Sequence, residues 1–260
     1  MIPISDDNPT LRPPVATVAL LVILGAVWVF GQGAGLDAQA LAASVCNWGM
    51  VPGEITGRAR LGSGVPLGNG TACLVDADPR NILTPITSMF LHGGWGHLLG
   101  NGLFLWVFGN NVEDSMGHFR FVVFYLICGL AAAATQIAID PASVVPMVGA
   151  SGAISGVLGA YLVLYPRVKV NVLFFFFIFI RVIPVPAWMM LLWWIGVQIV
   201  TGLPQLLSDH PGPSAGVAVW AHIGGFVAGA GLIKLFENKS LVAARLGARR
   251  QGLFRRDRSW

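Results

Sequence analysis

The strongest constraint in this sequence is the recurrence of apolar blocks long enough to cross a bilayer. A hydrocarbon core of about 30 Å takes roughly 17–25 helical residues, because a helix rises about 1.5 Å per residue and pairs its own backbone groups where water is absent. Six blocks bounded by Pro, Gly or charge meet or approach that length: residues 15–30, 97–112, 119–139, 149–165, 187–203 and 217–236. They are nearly free of charge, and Lys234 lies close enough to the end of its block to snorkel. Hydrophobic side chains make up 55% of the chain and charged ones 11%, far below the roughly 25% of soluble domains, which argues against a soluble enzyme, a disordered chain or a disulfide-dense scaffold. The expected fold is an all-α membrane protein, a bundle of six transmembrane helices.

The run 172–180 is intensely apolar but too short to cross, and Arg181, Pro184 and Pro186 interrupt it. It reads as an interfacial or re-entrant segment. An even number of crossings leaves both termini on one side. Seven of the sixteen basic residues follow Phe236, and with Arg167, Lys169 and Arg181 they mark that side as cytoplasmic, which suits a bacterial inner membrane. The organisation is then a cytoplasmic segment 1–14, a six-helix domain 15–236 with a long outer loop 31–87, and a basic cytoplasmic tail 237–260. The tail reads as an anchor against anionic lipid. It lacks the interleaved aromatics of a nucleic-acid-binding segment, so the bilayer is the expected partner and nucleic acid is not. The first block could also be a secretory signal, with Ala38-Gln39-Ala40 as a cleavage site, but Asp6, Asp7 and a single basic residue before it argue for retention. In the outer loop Cys46 and Cys73 are either an oxidised pair or two free thiols; Cys128, within the third block, reads as a small packing residue.

Strong polar groups inside membrane spans are informative because they are costly there. With this topology the second, fourth and sixth spans all enter from the outer face. They carry His97 and Asn101, Ser151 between Ala150 and Gly152, and His222, all within about a third of the bilayer from one surface. Had the Phe-rich run crossed as a seventh span, His222 would enter from the opposite face, out of reach of Ser151. Gly152, Gly156 and Ala160 form one ridge of small residues, and Ala221, Gly225 and Gly229 another, which lets the fourth and sixth helices approach closely.

A serine hydroxyl becomes a useful nucleophile when a neutral imidazole takes its proton and later returns it to the leaving group. Ser151 and His222 fit those roles, and as a dyad, since no span carries an acid to orient the ring. His97 and Asn101 share a helical face and, with the Ser151 amide at the start of its helix, can donate to the oxyanion of a tetrahedral intermediate. Gly149 and Gly152 supply backbone freedom and space, and His92, among Gly93, Gly94 and Gly96, sits at the mouth of the site as a structural or water-holding residue. A metal centre is the competing chemistry. The histidines lack the His-Glu-x-x-His spacing of helical zinc proteases, so neither metal nor cofactor is expected. The Gly-x-Ser-x-Gly elbow of soluble hydrolases is also missing.

These residues resemble the rhomboid intramembrane serine proteases. The likeness rests on Gly149-Ala150-Ser151-Gly152, on Ala221-His222-Ile223-Gly224-Gly225 with Gly229, on the spacing His-x4-His-x3-Asn of His92, His97 and Asn101, and on Glu113 with Gly117 and the Pro166-Arg167 pair. The resemblance implies a six-helix fold with a hydrated cavity open to the outer side. It also implies a serine endopeptidase that cleaves single-pass membrane proteins with locally unstable helices and needs no metal or nucleotide. By the same resemblance His97 and Asn101 hold the oxyanion. Some members carry an aromatic ring one turn after the nucleophile to stack on the base; here that position is Ser155, so the packing that orients His222 must differ. A catalytically silent relative, which usually lacks the serine or histidine, and a transporter lined by His97, Asn101 and His222 are the competing functions. The intact pair and the absence of intramembrane carboxylates speak against them.

Overall fold

The computed structural model describes residues 2–68, 71–176, 179–207 and 218–250; the last part of the basic tail lies outside the described residues. In chain order the elements are β1 (Ile2–Asp6), α1 (Val15–Ala26), α2 (Ala38–Trp48), α3 (Pro52–Thr56), β2 (Gly64–Gly68), β3 (Thr71–Leu74), α4 (Thr84–Thr87), α5 (Trp95–Phe104), α6 (Asn110–Met116), α7 (His118–Ile139), α8 (Ser151–Leu164), β4 (Lys169–Phe176), β5 (Phe179–Pro186), α9 (Ala187–Leu207), α10 (Val219–Phe236) and α11 (Lys239–Arg250). A wider turn, Val27–Gly31, prolongs α1, and another, Leu105–Gly109, joins α5 to α6.

By length and apolarity α7, α9 and α10 suffice to cross a membrane, while Val15–Gly31 and α8 are shorter apolar helices. The helix formed by α5 and α6 changes character along its length, carrying Glu113 and Asp114, both buried, in its last turns. Glu113 explains how those carboxylates are tolerated. It accepts hydrogen bonds from the Ala16 and Thr17 amides at 2.9 and 2.8 Å and from the Thr17 hydroxyl at 2.6 Å, so it satisfies the otherwise unpaired first turn of α1. Asp114 accepts from Arg12 and from the Leu11 amide.

The expectation of a purely helical chain needs correction. The Phe-rich run, expected as an interfacial or re-entrant segment, is extended: β4 and β5 form an antiparallel hairpin, with Lys169 opposite Pro186 and Phe174 opposite Arg181, and β1 adds to β4 with Pro3 opposite Val172. Val, Ile and Phe favour a pleated surface, and Pro184 and Pro186 fall on the edge strand, where a missing N–H costs nothing. The N-terminal segment is thereby built into the fold. The hairpin also returns the chain to the same end of the bundle, so α8 and α10 run in the same direction.

At the opposite end the loop after α1 is ordered by α2, capped by the Asp37 carboxylate on the Gln39 and Ala40 amides, and by the β2–β3 ribbon. Cys46 on α2 and Cys73 on β3 are bonded, with Cα atoms 5.1 Å apart. Trp28, fully buried, meets Trp95 edge-on at 5.5 Å and fixes the end of α1 against the start of α5.

Helices α7, α8 and α10 form the tightest part of the core, and glycine is the reason. A Cβ on Gly225 would collide with the Gly152 carbonyl, one on Gly229 with the Gly156 carbonyl, and one on Gly156 with Cys128. The two ridges expected to pack do so, backbone against backbone, and Cys128 is a buried free thiol in the seam.

Candidate active site

Three helices begin at one end of the bundle, and each delivers a polar side chain within its first two turns: His97 and Asn101 on α5, Ser151 on α8 and His222 on α10. Parallel α8 and α10, held close by their glycine ridges, bring the Ser151 hydroxyl to 2.8 Å from Nε2 of His222. Among the described residues no group of three His, Cys, Asp or Glu side chains could hold a metal ion.

Gly149 shapes the approach to Ser151. Its φ of +130° is strained for any side chain, and its amide donates to the Ser88 carbonyl at 2.8 Å. A Cβ here would stand 2.6 Å from His97 Nε2 and 3.5 Å from Ser151 Oγ, so glycine keeps the space between these two groups open. The Gly93 amide approaches His97 Nδ1 at 3.4 Å. An acceptor at Nδ1 leaves the proton of a neutral ring on Nε2, the edge turned toward Gly149 and Ser151.

Asn101, only 7% exposed, has an amide nitrogen without a hydrogen-bond partner among the described residues. It is therefore a buried donor that no described group uses. Beside Ser151 lies a cavity of about 40 Å³ walled by Met89, Ala132, Met147, Gly149, Gly152 and Ala221. Its small and flexible lining offers room for a short side chain.

His92 is fully buried rather than open to the mouth of the site. Its backbone is clamped by Gln32, whose side chain accepts from the His92 amide and donates to its carbonyl, both at 2.8 Å. Its ring meets His97 edge-on at 5.2 Å. Burial, with a smaller contribution from His97, pushes its pKa down to about 4, so the ring stays neutral and packs the first His97 turn in place.

Sequence reading missed two neighbours of His222, both on α9. Gln198 Oε1 lies 2.9 Å from His222 Nδ1, and the Trp194 ring lies 5.8 Å from the imidazole at an interplanar angle of 37°. The signal available in the sequence was Gln198 itself, a strong hydrogen-bonding group in the middle of an apolar helix. Ser155, one turn after Ser151, turns its hydroxyl back onto the Ser151 carbonyl at 2.6 Å.

The chain is 43% identical over 81 residues to Rhomboid protease GluP of Bacillus subtilis (31% of this chain, 15% of that protein). It is 39% identical over 71 residues to Rhomboid-like protein 11, chloroplastic, of Arabidopsis thaliana (27% and 25%). To RHOMBOID-like protein 12, mitochondrial, of the same plant it is 32% identical over 163 residues (54% and 46%). Each match spans less than half of the relative's own length. Residues 79–238 match the Rhomboid domain, a stretch that holds His97, Asn101, Ser151 and His222, and the chain belongs to the membrane-integral rhomboid family.

Proposed function

We propose that this protein is an intramembrane serine protease, hydrolysing peptide bonds in or next to the transmembrane segments of single-pass membrane proteins. The observation that carries the reading is the 2.8 Å contact between the Ser151 hydroxyl and Nε2 of His222 at the starts of two helices locked together by glycine. In this reading His222 takes the hydroxyl proton as Ser151 Oγ attacks the scissile carbonyl. The carbonyl π electrons pass to oxygen, and the oxyanion is held by the Ser151 amide, His97 Nε2–H and the Asn101 side-chain amide. Collapse expels the amine, which takes the proton from His222 and leaves an acyl ester on Ser151. Water, deprotonated by His222, then attacks the ester; as the bond to Ser151 Oγ breaks, the acid leaves and the hydroxyl takes its proton back from His222.

Six crossings with both termini in the cytoplasm belong to the same reading. The disulfide between Cys46 and Cys73 supports an outer position for the first loop, because such bonds persist in oxidising compartments. With the loop outside, Ser151 and His222 lie a turn or two below the outer surface, within reach of the water the reaction consumes.

The test is cleavage of a tagged single-span substrate in liposomes by the wild type, Ser151→Ala and His222→Ala. Both substitutions should abolish product while leaving the melting temperature within a few degrees of wild type. Cleavage by Ser151→Ala at the wild-type rate would end the proposal.

A further inference from the structure

We infer that Gln198 is a positioning residue for His222, with Trp194 one turn before it as its packing partner, so that α9 does the work of the third member that a triad would have and the dyad lacks. The inference rests on the proposed protease reading and deepens it.

A neutral imidazole has one N–H and one lone pair, and only the lone pair can take the serine proton. Which nitrogen holds it is decided by the partner of the other. Here the partner of Nδ1 is the side-chain oxygen of Gln198, at 2.9 Å. A carbonyl oxygen only accepts, so it fixes the proton on Nδ1 and turns the lone pair of Nε2 toward the Ser151 hydroxyl at 2.8 Å. The chain Gln198–His222–Ser151 therefore has the polarity of an acid–base triad with an amide in place of the acid. The amide dipole opposes the positive charge that develops on the ring more weakly than a carboxylate would, at a smaller desolvation cost inside the bundle.

Trp194 and Gln198 are four apart, so they share one face of α9. The Trp194 ring lies 5.8 Å from the imidazole and 6.2 Å from Phe226, and blocks rotation of His222 away from Ser151. Its π face also favours the imidazolium formed during attack. No ring comes from α8, because Ser155 occupies the corresponding position and is bonded to its own helix. Alignment of the base is thus assigned to a helix that contributes no reacting atom.

The experiment uses the full chain in detergent and follows covalent labelling of Ser151 by a fluorophosphonate across pH, for wild type, Gln198→Met, Gln198→Glu and Ser151→Ala. The titratable groups facing His222 from the packed helices are His97 on α5 and, further along the seam, the Cys128 thiol on α7; both are present in every variant, so a shift between variants reports on position 198. Gln198→Met should label roughly 10-fold to 100-fold more slowly at an unchanged melting temperature, part of the 10²–10⁴-fold a positioned base contributes. Gln198→Glu should restore labelling at high pH but move the acid limb of the profile upward by about one unit or more, because a carboxylate stabilises the imidazolium that must lose its proton before it can act. Wild-type rates in Gln198→Met, or an unshifted profile in Gln198→Glu, would overturn the inference. An unlabelled wild type would instead remove the protease reading, and the inference with it.

Discussion

The two ends of this bundle treat buried polar groups in opposite ways. At the end carrying β1, α6 and α11 nearly every polar atom is paired. Glu113 accepts from α1 and contacts His118, Asp6 accepts from Tyr161 and Asn111, and Arg245 reaches Asn8, Asn111 and Tyr165. At the Ser151 end, Asn101 keeps an unpaired donor and both ring nitrogens of His92 lack partners among the described residues. A cavity of about 1280 Å³ opens at the paired end, whereas the one beside Ser151 measures about 40 Å³. In the proposed reading the chemistry lies at the smaller cavity, where hydrogen-bonding capacity is left unspent, and not at the larger one. On that reading substitutions at the two ends should separate stability from activity.

The largest stability effect is expected at Glu113. Glu113→Ala leaves the first turn of α1 uncapped and should cost about 3 kcal/mol or more in reversible unfolding in detergent. Loss of less than about 1 kcal/mol would break the comparison. At the other end Asn101→Ala should slow cleavage by up to roughly 10²–10³-fold, about 3–4 kcal/mol of barrier, while leaving the unfolding transition in place, since its amide nitrogen is unpaired in the fold. A matching fall in stability would show that the donor is structural.

Asp6 gives a smaller effect that depends on pH. Burial, opposed by the Tyr161 hydrogen bond and the Arg245 charge, raises its pKa from 3.8 to about 6. A carboxyl group raised in the folded state stabilises the fold in its protonated form. Its contribution is therefore fully present below the unfolded value and lost as pH rises through about 6. Wild type should lose on the order of 2 kcal/mol relative to Asp6→Asn between pH 4 and 7. Parallel stability curves for the two proteins would contradict this. The smallest expected effect is none: chelators should leave cleavage unchanged, checked by adding a divalent-ion chelator to the liposome assay.

The helices and the approach of Ser151 to His222 were legible because each leaves a local mark: apolar length, glycines at spacing four, a serine between small residues, and polar side chains near the starts of apolar blocks. The β4–β5 hairpin was not. Its sequence holds no Gly, Asn or Pro between Phe174 and Arg181, and its apolar run hides the period-two alternation that Lys169, Val170, Asn171 and Val172 do show. The strand made by residues 2–6 is short, and its partner lies more than 160 residues away, which no local pattern encodes. Trp194 and Gln198 escaped for a similar reason. Their role comes from where α9 lands beside α10, and packing geometry decides that. The disulfide was open in the sequence and is resolved by the approach of α2 to β3.

The central claim is that His222 activates Ser151. The most direct measurement is the mass of the protein after exposure to a fluorophosphonate, with the modified residue mapped by peptide sequencing, in the wild type and in His222→Ala. One adduct on Ser151 in the wild type, and almost none in His222→Ala at the same exposure, is the predicted result. An adduct on another residue, or equal labelling of Ser151 without His222, would contradict it.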